Sequence, residues 1–499
     1  MKHSIYSIVF VIISALALSS CDDFLNMQPG NSGDAEDAIT TPSDAKVVIN
    51  GIMSSMTSSD YYGRNFFMYG DAKGGDLTIY SAGRGLDGLY SFNHSATSGS
   101  FSGFWTTGYN CIMQINNLLE NIEKLETAGT TGFDSYKGQA LTLRALVYFD
   151  LVRLYGLPYN YDKTSYGVPI TTSTLESDAQ LTRSTVEENY EQILADLEAG
   201  QTLLASDKSL QKGYIGYYAN IAIQARVKLY MEDYDGALSA AEEIIKSSKY
   251  ELYEPSEWVA SWSTQFGSES IFELGIYPSE SDLGTSSLGF YLMQYKQRSG
   301  ASGYFLASNY YLARLNEDET DVRWGVMDND EYWYDNKVER KGACYKYMGG
   351  IIQSDETFPG DGKETETAVN IKIIRLSEVY LIASEAALHA TTPDKDLAVY
   401  YLNEIRKRAP KLDSATTATI TDDMILEERS KELFCEGQRF FDMIRMNKTI
   451  EFNDDFQDIP ISKRTKTIDR TFGKIVLPIS QDEINANSAL KDQQNTAYK

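Results

Sequence analysis

Ile371-Lys372-Ile373-Ile374-Arg375-Leu376-Ser377-Glu378-Val379-Tyr380-Leu381-Ile382-Ala383-Ser384-Glu385-Ala386 decides how the chain is read. Leu376, Tyr380, Ala383 and Ala387 recur at helical spacing, so they share one face of an α-helix. Tyr401-Leu402-Asn403-Glu404-Ile405-Arg406-Lys407-Arg408-Ala409 follows, and Leu397, Tyr401 and Ile405 mark a second helix. Thr392-Pro393 predicts where it starts: a hydroxyl cap, then a proline where no amide hydrogen is needed. Thr421 predicts the cap of a third helix, with Asp422 and Asp423 at its positive end. That helix carries Leu426-Glu427-Glu428-Arg429-Ser430-Lys431-Glu432-Leu433 and leads to Glu436-Gly437-Gln438-Arg439-Phe440-Phe441-Asp442.

The same period recurs upstream. Ala45–Met56 predicts a first helix. Trp105, Tyr109, Ile112, Ile115, Leu119 and Ile122 give a one-faced helix, whereas Gln139–Tyr155 is apolar nearly all round and predicts a buried one. Ser184-Thr185-Val186-Glu187 reads as a capping box opening a helix with Tyr190, Ile193, Leu197 and Leu204 on one side. Within 218–245, Ala222, Ala225 and Leu229 face Ala237, Ala240 and Ile244 across an Asp233-Tyr234-Asp235-Gly236 turn. Small residues at facing positions let paired helices approach closely, and the spacing approximates the tetratricopeptide period of about 34 residues. The fold class is therefore mainly α: a tetratricopeptide-like helical-repeat scaffold with long loop insertions and little β. Thr57–Ser100 has no sustained period and reads as ordered loops; Ser268–Leu274 reads as a short strand or buried turn. The long stretch 257–363, rich in Gly, Ser, Tyr and Trp, interrupts the repeats, and an irregular segment of that length is usually functional. The organisation expected is a leader over 1–20 and one domain over 21–499. Its parts are 21–250, the insertion 257–363 and a helical part 370–499.

The leader is explicit. Lys2 and His3 precede an apolar run from Ile5 to Leu18, shorter than the roughly 20 residues a spanning helix takes. Leu18-Ser19-Ser20-Cys21 has the form of a lipobox, with Cys21 the expected site of acylation. Asn26–Thr41 is polar and reads as a tether. The net charge is −26, and removing the leader with Lys2 makes the mature chain more negative still. Such a surface repels phosphates and anionic headgroups, which argues against nucleic acid as a partner. Of the remaining cysteines, Cys111 and Cys435 lie in helical patterns and read as small buried hydrophobes. His94 and His389 stand far apart and away from any cysteine, so no zinc-type spacing exists.

Acidic residues are plentiful in the C-terminal part. A glycosidase needs two carboxylates facing each other across a cleft. Glu427, Glu428, Glu432, Glu436 and Asp442 instead alternate with Arg429, Arg439 and Arg445 at spacings that favour ion pairs along a helix. They read as a structural network, and no residue is assigned a catalytic role. Asn316–Asp321 and Asp328–Glu331 are oxygen-rich, as calcium prefers, but lack the EF-hand glycine and terminal glutamate, so they read as solvated loops and no metal or cofactor is assigned. A neutral sugar presents C–H faces and a rim of hydroxyls, so its site takes flat aromatic platforms plus a few polar groups. Two segments fit: Asp71, Asp76, Tyr80, Arg84, Tyr90, Phe92 and Asn93; and Tyr277, Tyr291, Tyr295, Arg298, Tyr304, Trp333, Tyr334 and Tyr345. Tyrosine outnumbers phenylalanine 35 to 20, a bias that suits wet recognition surfaces as well as helix packing.

Taken together, Arg375-Leu376-x-Glu378-Val379-Tyr380-Leu381, Leu402-Asn403-Glu404-Ile405-Arg406-Lys407-Arg408-Ala409, Glu428-Arg429-x-x-Glu432-Leu433 and Glu436-Gly437-x-Arg439-x-x-Asp442 resemble the C-terminal half of the SusD/RagB family. Arg144–Gly156, Cys21-Asp22-Asp23-Phe24-Leu25 and Lys474–Asn487 resemble it too, although Ser480 and Ser488 stand where the family commonly has proline. The resemblance implies a lipid-anchored, surface-exposed outer-membrane protein with a helical-repeat scaffold. Its ligand would be an oligosaccharide, passed to a SusC-like TonB-dependent transporter without covalent chemistry. It also implies that ligand platforms come from the early loops and the mid-chain insertion. Two other readings stay open: a secreted α-helical glycoside hydrolase or lyase, and a peptide-binding or purely protein-docking member of the same family.

Overall fold

The computed structural model describes residues 39–79, 86–99, 101–211, 213–293, 303–330, 340–347, 349, 368–452 and 464–499. The leader, Cys21 and most of the tether lie outside the described residues. Within them the chain is mainly helical with short strands. Helix α1 (Pro42–Met56) starts on a capping box: the Thr41 hydroxyl accepts from the Asp44 amide at 3.3 Å and the Asp44 carboxylate accepts from the Thr41 amide at 2.8 Å. α2 (Asn65–Lys73) falls in the stretch read from sequence as loops, and so does the strand β1 (Leu77–Ile79). All nine residues of α2 are buried, so it has no polar face to give it a period.

Seven helices then stack as an array: α3 (Ser102–Thr127), α4 (Asp134–Tyr155), α5 (Val186–Leu204), α6 (Tyr217–Tyr230), α7 (Tyr234–Lys246), α8 (Leu376–His389) and α9 (Lys395–Arg406). Each packs on the next, and α8 lies on α7 although 129 residues separate them in sequence. The array is tetratricopeptide-like, as expected. The α5 cap is one residue later than the sequence reading: Thr185 pairs with Glu188, not Ser184 with Glu187. α9 is capped by Asp394, whose carboxylate accepts from the Leu397 amide at 2.9 Å, so Thr392-Pro393 lies just outside it. The Thr421 cap is present and opens α10 (Asp422–Glu432), followed by α11 (Arg439–Arg445). Buried arginines cross-link the array: Arg144 on α4 grips Asp196 on α5 at 2.6 and 2.7 Å, and Arg226 on α6 grips Glu378 on α8 at 2.6 and 2.7 Å. Bidentate pairs of this kind fix orientation as well as contact.

The mid-chain excursion leaves and rejoins the frame side by side. Strand β2 (Ser270–Leu274) pairs antiparallel with β6 (Ile371–Arg375), which runs straight into α8. Inside the excursion, β3 (Phe305–Ala307) pairs with β1, and β4 (Met327–Asp328) pairs with β5 (Ala343–Cys344). The acidic runs are not solvated loops throughout. Asp318 accepts from Thr320 and the Lys411 amide, Asp321 grips Arg323, and Asp330 pairs with Arg340.

The acids of α10 and of the turn after it also differ from the sequence reading. Their partners come chiefly from other elements rather than from their own helix. Glu432 lies 2.6 Å from Arg375, 3.1 Å from Arg408 and 3.5 Å from Arg323. Glu428 takes Arg323 at 2.7 Å, and Glu436 takes Arg375 and Lys346, each at 2.8 Å. Burial would push these carboxyls up, but the surrounding cations win and hold Glu428, Glu432, Glu436 and Asp442 below the ordinary carboxylate range. A depressed folded pKa contributes stability in full above the unfolded value, about 4, and loses it as pH falls toward the folded one. Asp71 and Asp321, pushed up by burial, act with the opposite sign, so one carboxyl is best isolated by difference. The gap in urea midpoint between wild type and Glu432→Gln is expected to be constant above about pH 5 and to close below about pH 4. A gap that widens in acid would contradict the sign.

Candidate binding site

At the end of β2 the chain turns through Gly275-Ile276-Tyr277. The Ile276 amide donates to Asn370 at 3.1 Å and the Asn370 amide donates to Glu273 at 2.8 Å, which pins this turn to the frame. The Tyr277 carbonyl accepts from the amides of Glu280 and Ser281 at 3.0 and 2.9 Å. A Cβ at position 275 would lie 3.0 Å from the Tyr277 ring, so glycine there lets the ring fold back over the backbone. That ring stays 43% exposed.

Phe266 stands beside it with φ +50°, a left-handed conformation uncommon for a residue with a side chain. Its amide donates to both Glu273 oxygens at 3.2 Å, and the same carboxylate accepts from Ser270 at 2.7 Å. Backbone strain held in place this way tends to cluster at ligand sites. A third ring, Tyr214, follows Gly213, whose missing Cβ would meet the Phe266 ring at 3.1 Å. Tyr214, Phe266 and Tyr277 line an open cleft of about 330 Å³, walled by Asn50, Met53 and Ser54 of α1 and by Glu280 and Ser281. Three aromatic rings with an amide, two hydroxyls and one carboxylate offer apolar faces plus convergent hydrogen-bonding groups. That combination stacks on a flat, partly apolar ligand and orients its polar rim.

The segment continues to a second aromatic group. Leu283 abuts Gly63, and Arg64 donates to the Tyr291 hydroxyl at 3.2 Å with its guanidinium 4.6 Å from the ring centre. Tyr304 meets Tyr291 edge-on at 4.8 Å, and Phe290 closes the group. Tyr291 itself is 9% exposed and supports the half-buried Tyr304 more than it offers a face.

Besides Tyr291, the structure removes five sequence-predicted ligand residues from the surface. Asp71 is buried, accepts from the Gly437 amide at 2.6 Å, and has its carboxyl pushed well up by that burial. Asp76 pairs with Arg314 and accepts from Ser430 at 2.6 Å. Tyr90 lies under the Arg464 guanidinium at 4.6 Å, Phe92 under the Lys73 ammonium at 3.5 Å, and Tyr345 is buried behind β5. The first four serve the core where β1, α2 and the C-terminal helices meet, and the Tyr345 amide donates to the Val326 carbonyl at 2.8 Å inside the excursion. Asn93 is exposed. Tyr80, Arg84, Tyr295, Arg298, Trp333 and Tyr334 lie outside the described residues. Tyr214 and Phe266 were not singled out from sequence. Each has a glycine as its chain neighbour, the one local sign that a ring there is set by backbone approach.

Two further clefts are less suited. One of about 680 Å³ is lined by Gln481, Asn485, Lys491 and Asp492, with Tyr498 its one aromatic residue. The Tyr498 hydroxyl is taken up by His94 and the Val476 carbonyl, at 2.8 and 2.9 Å. The other, about 390 Å³, is lined by charges already paired, among them Glu385 with Arg445 and Asp422 with His389.

Known proteins match this chain along most of its length. A family model described as the SusD family matches residues 270–498, and one described as starch-binding associating with outer membrane matches 25–229. A solved SusD superfamily protein from Bacteroides thetaiotaomicron is 33% identical. It superposes with a TM-score of 0.81, covering 91% of this chain and 99% of the other. A structure from Bacteroides vulgatus titled a putative sugar binding protein is 32% identical, with a TM-score of 0.80 over 93% of this chain and all of its own. The SusD-like protein P38 of Formosa agariphila is 25% identical, over 90% of this chain and 93% of its own.

Proposed function

The chain belongs to the SusD family, and we propose on that premise that it is a cell-surface oligosaccharide-binding protein. In this reading it captures a glycan in the Tyr214–Phe266–Tyr277 cleft and hands it to a SusC-like TonB-dependent transporter. The observation that carries the proposal is the cleft itself: three rings and a few polar groups on a rigid helical frame. The sugar-binding description of a relative 32% identical along the chain supports the ligand class. Affinity is expected to be modest, about 1 μM to 1 mM, since handover requires release.

The reading involves no covalent chemistry. Among the described residues lining the cleft, Glu280 is the one carboxylate, whereas glycoside hydrolysis takes a facing pair. Retardation in native gels cast with neutral polysaccharides tests the binding: a slowed band in at least one gel is expected, and equal mobility in all of them would contradict it.

The match to a family model described as associating with outer membrane supports placement at that membrane, with Cys21 as the proposed anchor. One acyl chain holds a protein only marginally, whereas several on one residue make a stable anchor. Cys21→Ser is expected to move the protein from the membrane pellet to the soluble fraction. Undiminished recovery in the outer-membrane fraction would contradict the anchor.

A further inference from the structure

Two buried cysteines have no part in the binding reading. Cys344 ends β5, and Cys435 lies in the turn between α10 and α11; each is 2% exposed. The turn is gripped from the β5 side around Cys435. Lys346 donates to the carbonyls of Glu432 and Phe434 at 3.1 and 2.8 Å, and the Tyr347 hydroxyl donates to the Cys435 carbonyl at 2.8 Å. The residues just after Cys344 thus bond the backbone at Cys435 itself, and the two thiols are direct partners of one another. Cys435 has φ +61°, although it is not a glycine. A left-handed backbone at such a residue persists only where its surroundings over-determine it.

We propose that Cys344 and Cys435 are a disulfide site that staples the β4–β5 hairpin of the mid-chain excursion to the turn before α11. The step is an exchange with an external disulfide, such as oxidised glutathione or a thiol oxidase. Before the core closes, the Cys344 thiolate attacks one sulfur of that disulfide and releases a thiolate. The Cys435 thiolate then attacks the Cys344 sulfur and releases the second. Two electrons pass to the external disulfide, and the two protons from the cysteines end on its thiols. Burial opposes thiolate at Cys344, but its partner thiol and the Lys346 ammonium outweigh it and lower that group. Burial raises Cys435. Either order of attack gives the same link. Formation in the cell rests on the proposed export, because disulfides persist in oxidising compartments.

Thiol counting tests this with the acylated chain isolated and then denatured in the presence of N-ethylmaleimide. One blocked thiol, at Cys111, is expected, together with a linked peptide pair carrying Cys344 and Cys435 that separates on reduction. The mature chain with Cys21→Ser, refolded in a glutathione redox buffer, is expected to form the same link. Reduction is then expected to lower its melting midpoint by on the order of 5 °C. The Cys111→Ser variant is expected to keep the link. Three blocked thiols from both sources, or a link that uses Cys111, would overturn the site. A link formed in glutathione but absent from cells upholds the site and overturns the placement in an oxidising compartment.

Discussion

Replacing Glu432 with alanine is expected to cost about 3–5 kcal/mol, a large share of the roughly 5–15 kcal/mol that holds a typical domain together. The carboxylate lies among Arg323, Arg375 and Arg408 and also accepts from the Trp258 indole at 3.3 Å. Removing it leaves three guanidiniums crowded in a dry interior with their shared counter-charge gone. The loss is not confined to α10, because Arg375 ends β6, Arg323 belongs to the excursion and Arg408 follows α9. The urea midpoint should fall steeply, or the protein should fail to accumulate. Glu187→Ala, which breaks an exposed pair with Lys163, should leave the midpoint unmoved. Equal effects of the two substitutions would contradict the picture of a buried ionic keystone.

Tyr277→Ala is expected to weaken oligosaccharide binding by roughly tenfold to a hundredfold while leaving the fold intact. The ring is 43% exposed and rests over Gly275, so its loss opens no core cavity. Aromatic anchors at recognition surfaces commonly account for about 1.5–3 kcal/mol when truncated, which converts to that range. Gly275→Val should act in the same direction by displacing the ring, since a Cβ there meets it at 3.0 Å. Tyr90→Ala should instead destabilise the protein, because that ring packs against Arg464 and Phe452 in the interior. Calorimetric titration beside thermal melting separates the two outcomes. Full affinity in folded Tyr277→Ala would remove the cleft from the site.

The array was legible from one-faced helices such as α3 and α7, and from the long, nearly unbroken apolar runs of α4 and α6, which are buried on nearly every side. Ala222, Ala225 and Leu229 opposite Ala237, Ala240 and Ile244 are buried as their period predicts. α2 was not legible, because it is buried on every side, only nine residues long, and interrupted by Asn65, Gly70, Asp71 and Lys73, so it shows neither a contrast between faces nor a long apolar run. That failure also misplaced Asp71, Asp76, Tyr90 and Phe92. Polar and aromatic residues in an apparently irregular stretch looked like a wet loop, but they close the core between β1 and the C-terminal helices. The spacing of Glu428, Glu432 and Glu436 suggested pairs within one helix. Few of their pairs are of that kind, such as Lys431 with Glu428 at 3.4 Å. Arg323, Arg375 and Arg408 arrive from distant positions that no local pattern reveals. The cleft is likewise tertiary. Tyr214 comes from the loop before α6, Phe266 from the turn before β2 and Tyr277 from the turn after it. Only the neighbouring glycines hinted that these rings are placed by close backbone approach.

The most direct measurement is calorimetric titration of the purified chain with a panel of neutral oligosaccharides, with the sugars recovered afterwards and analysed by chromatography. The account predicts saturable binding of at least one oligosaccharide, with every chain recovered at its original length. No saturable binding across the panel, or the appearance of shortened or unsaturated products, would contradict it.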